Sequence, residues 1–214
     1  MTAPARSSTG VAPNVLAPRV VLASASGVRR RLLENAGVPV VVDPGRADEE
    51  EIKRAMRADG APVEACAERL AEIKALRVTE RHQGAIVLGA DQMLELNGEW
   101  FDKPTDRQGA AEQLAALAGR THRLVSALAA VRNGARIWSH VASARLTMRP
   151  LTRDFIDAYL EAAGDQALHS VGGYQLEGIG AQLFARIEGD YFTVLGLPLL
   201  PLLAFLREHG VVMD

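Results

Sequence analysis

AIVLGADQMLELNGEW (residues 85–100) opens as an unbroken apolar run and closes on Asn97-Gly98. The run reads as a buried strand, and Asn-Gly is the strongest short-range signal for a two-residue hairpin, because both positions of that turn need positive φ. A buried strand that turns back on itself requires antiparallel pairing. Working outward, RVVLAS (19–24) is a second apolar, β-branched segment, VRRRLLENAG (28–37) a helix stopped by Gly37, and VPVVVDP (38–44) another strand. ADEEEIKRAMRA (47–58) reads as a short exposed helix, and APVEACAERLAEIKALRVTERH (61–82) as a longer one with apolar residues at helical spacing. Beyond the hairpin, TDRQGAAEQLAALAG (105–119) is an amphipathic helix capped by Thr105 or Asp106, and residues 122–150 form two long strands around a second Asn-Gly turn. Residues 152–164 are a helix capped by Thr152, residues 172–192 a glycine-punctuated loop running into a strand, and residues 197–210 a closing helix. Helices interleaved with strands and hairpins give an α/β fold with a mixed sheet.

The chain has 214 residues, 48% of them hydrophobic and 23% charged, enough to bury a substantial core. One domain is expected over residues 19–214, preceded by a disordered N-terminal extension (1–18) rich in Ala, Pro, Ser and Thr. Lys and Arg number 24 against 26 Asp and Glu, so the net charge of −2 provides no global attraction to nucleic acid or an anionic membrane. Any phosphate site must be local. The single cysteine, Cys66, excludes an intramolecular disulfide and reads as a small packed residue on a helix. No apolar run reaches the ~18 residues of a membrane span, and the N-terminus lacks the apolar core of a secretory signal. A cytoplasmic protein with no membrane partner is expected.

LASASGVRRRLL (22–33) carries the first chemistry. A strand ending in Ser24-Ala25-Ser26-Gly27 and passing directly into a helix presents N–H groups and hydroxyls to an anion. That placement explains Arg29 beside the positive end of a helix dipole, where a cation is otherwise disfavoured. Only one or two of Arg29, Arg30 and Arg31 can reach a common ligand, since successive helical residues point about 100° apart. In GADQ, Asp91 lies at the end of an apolar strand, where ligands of open α/β sheets bind; it either holds a hard cation or caps a turn. Lys103 precedes Pro104, which keeps it in extended backbone and free to meet a ligand. Lys74, taken alone, reads as a solvated helix lysine. Glu49, Glu50 and Glu51 read as a solvated first turn, with metal binding as the second reading. Glu177 sits between glycines in a loop able to approach a ligand closely. Walker-type loops, dinucleotide fingerprints, nucleophile elbows and Cys/His metal spacings are missing, and the five histidines read as structural or exposed.

Together LASASGVRRRLL, LAEIKA, LGADQMLELNGEWFDKP, AGRTHRLVSALA and GYQLEGIGAQLFARIEGDYFTVLGLPL resemble, in order and spacing, the Maf-like nucleoside triphosphate pyrophosphatases over residues 19–210. The resemblance implies a mixed α/β fold with a twisted sheet, flanking helices and two lobes about a deep cleft, akin to the inosine triphosphate pyrophosphatases. It implies hydrolysis of a nucleoside triphosphate between its α and β phosphates, a divalent metal (Mg or Mn), and a homodimer. Position by position, Ser24 and Arg29 match the family's phosphate-contacting residues, Lys74 and Lys103 its cleft lysines, Asp91 its catalytic carboxylate and metal ligand, and Glu49 a further acid that could bind metal. Three positions divide the subfamilies, here Val28, Gln92 and Glu177. Gln92 and Glu177 match the N7-methyl-GTP branch, whose third residue is tryptophan in place of Val28. A carboxylate accepts from N1–H and N2–H₂ of guanine, whereas the uracil and thymine edge offers one donor between two repelling carbonyls. The expected activity is therefore house-cleaning hydrolysis of modified guanine nucleotides. A dTTP/UTP pyrophosphatase and a non-catalytic nucleotide-binding regulator of septum formation are the alternatives, and Asp91 together with both lysines favours the enzyme.

Overall fold

A computed structural model describes residues 19–213, so the expected extension at 1–18 lies outside the described residues. The strands are β1 (Val20–Leu22), β2 (Val40–Val42), β3 (Ile86–Leu96), β4 (Glu99–Phe101), β5 (Thr121–Arg132), β6 (Ala135–Met148) and β7 (Phe184–Glu188). The helices are α1 (Gly27–Asn35), α2 (Glu49–Ala58), α3 (Val63–Thr79), α4 (Arg107–Leu117), α5 (Arg153–Ala163), α6 (Tyr191–Val194) and α7 (Leu199–Glu208). They form one seven-stranded mixed sheet in the order β2-β1-β3-β5-β6-β7, with β4 also on β3. β1 pairs in parallel with β2 and β3, and every other pairing is antiparallel.

Both Asn-Gly turns form as expected. Asn97 and Asn133 take positive φ (52° and 51°), each followed by a positive-φ glycine. Asp106 and Thr152 cap α4 and α5 by accepting from Gly109 N and Phe155 N. The loop at 172–192 departs from a simple run into a strand. It contains 3-10 turns, and the short helix α6 follows β7, capped by Asp190, which accepts from Thr193 N.

Register dictates how the faces divide. Alternate residues of a strand point to opposite faces, and directly paired residues share one. One face carries Val87, Gly89, Asp91 and Met93 of β3, and α3 lies along it, burying Cys66, Leu70, Ala71, Ala75 and Val78. Close approach is possible because Gly89 has no side chain: a Cβ there would stand 1.8 Å from the carbonyl oxygen of Ala71.

The opposite face carries two separate cores. Ile86, Leu88, Ala90, Leu128 and Ala130 pack with Leu33 of α1 and with Leu202, Phe205 and Leu206 of α7. Leu94, Leu96, Leu124 and Leu146 pack with α4 and α5. Between them, paired directly in the sheet, stand Gln92 and Ser126. This polar row separates the two lobes, and the segment 190–197 crosses over it, Val194 joining one core and Leu197 the other.

Candidate active site

The site lies in a gap along one edge of β3. β1 covers that edge at Ile86–Leu88, and β4 resumes it only at Leu94. Along residues 89–93 no described strand pairs there, so backbone carbonyls need other partners. Ala23 N donates to Leu88 O (2.8 Å) as the last rung of β1. The next carbonyl on that side, Ala90 O, accepts instead from Arg29 Nη1 (2.9 Å). The same Nη1 donates to Ser24 Oγ (3.1 Å), and Nε donates to Gly196 O (2.8 Å). The first turn of α1 is fixed by hydroxyls: Ser24 Oγ accepts from Ser26 N and Ser26 Oγ from Arg29 N. Gly196 must be glycine, with φ of 83° and an added Cβ 3.2 Å from Arg29 Nη2. Arg29 is thus turned into the fold, whereas Arg30 pairs with Glu34 on the surface (2.7 Å) and Arg31 is exposed.

Asp91 enters the gap from the α3 face. α3 runs antiparallel to β3, its start packing near Met93 and its end near Val87, and with Ala71 resting on Gly89 the long Lys74 side chain reaches Asp91. Lys74 Nζ donates to Asp91 Oδ1 (2.6 Å) and pairs with Glu49 Oε1 (2.7 Å). Lys74 is 8% exposed and Asp91 5%, so the solvated reading of Lys74 is overturned by packing that helical periodicity alone does not disclose. The solvated reading of the acidic run holds for Glu50 and Glu51 but fails for Glu49. Asp48 caps α2 by accepting from Glu51 N, and Glu49 reaches Lys74.

Asp91 Oδ2 is buried with no hydrogen-bond partner. Burial raises the Asp91 carboxyl above the usual range, against the pull of Lys74 and Arg29. Glu49 goes the other way: burial pushes it up, but Lys74, with Lys53 and Lys103 beyond it, holds it below the ordinary value. Lys103 is exposed, yet desolvation by the surrounding protein and repulsion from Arg29 and Lys74 lower its ammonium despite Glu49 and Asp91. Burial likewise lowers the Arg29 guanidinium, with Asp91 and Glu49 opposing.

Ser24, Arg29, Glu49, Lys74, Asp91 and Lys103 therefore form one charged cluster. The three residues expected to select the base fare differently. Gln92 Nε2 donates to Ser126 Oγ, Thr193 O and Val194 O, so its amide hydrogens tie the lobes together and leave only Oε1 for a ligand. Val28 is half-buried on the first turn of α1. Glu177 is exposed at the tip of a turn closed by Gly178 N donating to Gln175 O, and has no described side-chain hydrogen bond or ion pair. Gly180 serves that turn itself, since a Cβ there would lie 2.4 Å from Gln175 O.

A model of the family described as "Maf-like protein" matches residues 19–209. The chain belongs to the Maf-like family. This Maf-like chain is 55% identical over 190 residues to the "Nucleoside triphosphate pyrophosphatase" of Paramagnetospirillum magneticum, covering 89% of this chain and 98% of the relative. It is 50% identical over 197 residues to the "7-methyl-GTP pyrophosphatase" of Rhizobium etli, covering 92% and 99%. Among solved structures, a nucleoside-triphosphatase (dITP/XTP pyrophosphatase) from Mycobacterium abscessus aligns with a TM-score of 0.43 and 17% identity, covering 90% of this chain and 94% of that one. That likeness is too loose to bear on function.

Sequence reading of this Maf-like chain missed Ser126 and the backbone carbonyls of residues 193, 194 and 196. A buried serine in an apolar strand was the available signal for Ser126. Backbone acceptors leave no signal in side-chain identity. Trp100 stacks under Arg57 (5.0 Å) and is thereby committed to α2. Among the described residues no helix is long and apolar enough to cross a membrane.

Proposed function

We infer that this chain hydrolyses nucleoside triphosphates to the monophosphate and pyrophosphate, with a preference for N7-methyl-GTP-like guanine nucleotides. The observation that carries the reading is the buried, unpartnered Asp91 Oδ2 beside three cations at an open sheet edge. Phosphoryl transfer asks for charge neutralisation and positioning more than for covalent chemistry. Arg29, locked by its three hydrogen bonds, and Lys74 and Lys103 supply the neutralisation. Ser24 presents its hydroxyl at the mouth of the α1 turn. Family membership at 50–55% identity to relatives named as pyrophosphatases supports the same reaction.

Asp91 and Glu49 converge on one cation already, the Lys74 ammonium, and no cluster of three or more His, Cys, Asp or Glu able to hold a metal occurs among the described residues. Two carboxylates with the remaining oxygens left to phosphate and water suit Mg²⁺ or Mn²⁺. Asp91 Oδ2 and Glu49 would hold such an ion, which would offset phosphate charge and polarise the phosphorus. Asp91 orients the water that attacks the α-phosphorus or takes its proton. The bond from that phosphorus to the α–β bridging oxygen breaks, and pyrophosphate leaves against Arg29, Lys74 and Lys103. Glu177 supplies the acceptors that a guanine edge matches and a uracil or thymine edge does not.

The test is pyrophosphate release from N7-methyl-GTP, GTP, dTTP and UTP with Mg²⁺ or Mn²⁺. Fastest turnover of a guanine nucleotide is expected. Faster turnover of dTTP or UTP overturns the base preference, and nucleotide binding without turnover overturns the enzyme in favour of a regulator.

A further inference from the structure

Helix α2 carries a second row of charge that the reaction above leaves unused. Glu49, Lys53 and Arg57 recur at four-residue spacing and so share one side of the helix. Each engages a different element. Glu49 pairs with Lys74 of α3, Lys53 Nζ donates to Asp102 Oδ1 (2.6 Å) immediately after β4, and Arg57 lies over the ring of Trp100 in β4. Ile52 and Met56 of the same helix pack on the α3-side core together with Trp100. α2 follows β2 and β1 in the chain, whereas Asp102 follows β4, so the helix spans the gap in which Asp91 lies. Asp102 is the neighbour of Lys103, and its carbonyl is fixed from behind by Gln113 Nε2 (2.9 Å), whose Oε1 accepts from Gly172 N.

We propose that Lys53 is a positioning residue of the phosphate site: through its ion pair with Asp102 it clasps α2 to the segment carrying Lys103 and so sets the distance between Glu49 and Lys103 across the cleft. The proposal rests on the reading of the site as a triphosphate site. The Lys53 side chain is 13% exposed and Asp102 54%, against 57% and 42% for the surface pair Arg30–Glu34, so the clasp is buried at its lysine end and open to solvent at its carboxylate. Burial works against the Lys53 charge, and the hydrogen bond to Asp102, with Asp91 and Glu49, more than restores it.

Kinetics of Lys53→Met, Asp102→Asn, the double variant and Lys53→Arg separate this role from plain attraction of an anion. Removing the Asp102 charge makes the cleft more positive, so attraction alone predicts a lower KM. The clasp predicts a KM raised about tenfold in Asp102→Asn and in Lys53→Met, with kcat within about twofold, no further rise in the double variant, and recovery in Lys53→Arg. A lower KM in Asp102→Asn, or a multiplicative effect in the double variant, overturns the proposal. A readout free of turnover is amide hydrogen exchange of residues 102–106 in the protein alone, which the clasp requires to quicken in both single variants. Unchanged exchange overturns the clasp. Absence of pyrophosphate release from wild type overturns the reading of the site while leaving the exchange result to decide the clasp.

Discussion

His122 should make this protein lose stability in mild acid, by an amount that one substitution removes. The residue is 1% exposed on β5, its Nε2 is 2.7 Å from the Tyr174 hydroxyl, its Nδ1 has no partner, and the rings of Tyr174 and Phe184 lie 5.7 and 6.1 Å away. Burial draws its pKa from 6.5 to about 4. The folded chain therefore keeps His122 neutral in a range where the unfolded chain binds a proton. Stability from this group is complete above pH 6.5 and is lost as pH falls toward 4. The whole interval is worth on the order of 3 kcal/mol, most of it gone by pH 4.5. His122→Gln keeps a polar partner for Tyr174 and does not titrate. Urea unfolding of both proteins at pH 7.5 and 4.5 gives the difference of differences, in which the common carboxylate effects cancel. Wild type should lose on the order of 2 to 3 kcal/mol more than the variant between the two pH values. Equal losses would show that His122 is hydrated or charged in the fold, and the reasoning fails.

Asp91→Asn should lower kcat/KM about a thousandfold while circular dichroism stays native. Gly89→Ala should cost about 3 kcal/mol or more in urea unfolding, since its Cβ would meet the Ala71 carbonyl at 1.8 Å and α3 cannot retreat without parting Lys74 from Asp91. Arg29→Lys should destabilise by about 2 kcal/mol and raise KM, because one ammonium cannot replace the guanidinium fork across Ala90 O, Gly196 O and Ser24 Oγ. Arg30→Ala, one residue along, should change stability by less than about 0.5 kcal/mol.

Local pattern was legible wherever a feature is written in adjacent residues. The Asn97-Gly98 and Asn133-Gly134 turns, the Asp106 and Thr152 caps and the apolar run of β3 required only neighbouring side chains to be recognised. Asp91 stood out as a carboxylate in an apolar run, but it was expected at a strand end and lies in the middle of β3, three residues past the last rung with β1, because the strand continues into the antiparallel hairpin. Lys74 was not, when taken alone, because its burial depends on Gly89 lying beneath Ala71, a contact between positions distant in sequence. Lys53 was hidden for the same reason within a run that looks solvated. Gln92 stood out as a candidate base reader, but its amide hydrogens are spent on Ser126 and on two carbonyls of a segment about a hundred residues away, a role that side-chain identity does not encode. α6 escaped notice because four residues are too few for helical periodicity to register.

The balance of charge at the gap bears on why it holds carboxylates among its cations at all. Arg29, Lys53, Lys74 and Lys103 would repel one another if gathered alone in a half-buried cleft, and burial already lowers Arg29 and Lys103. Glu49 and Asp91 sharing Lys74, and Asp102 holding Lys53, leave an excess of one positive charge. A triphosphate brings far more negative charge than that excess can balance. The same carboxylates that offset the mutual repulsion of the cations would then repel the substrate unless a further cation came between them. The unpartnered Asp91 Oδ2 is the one buried oxygen in the cluster placed to receive it. A divalent ion held there, as proposed above, would relieve that repulsion.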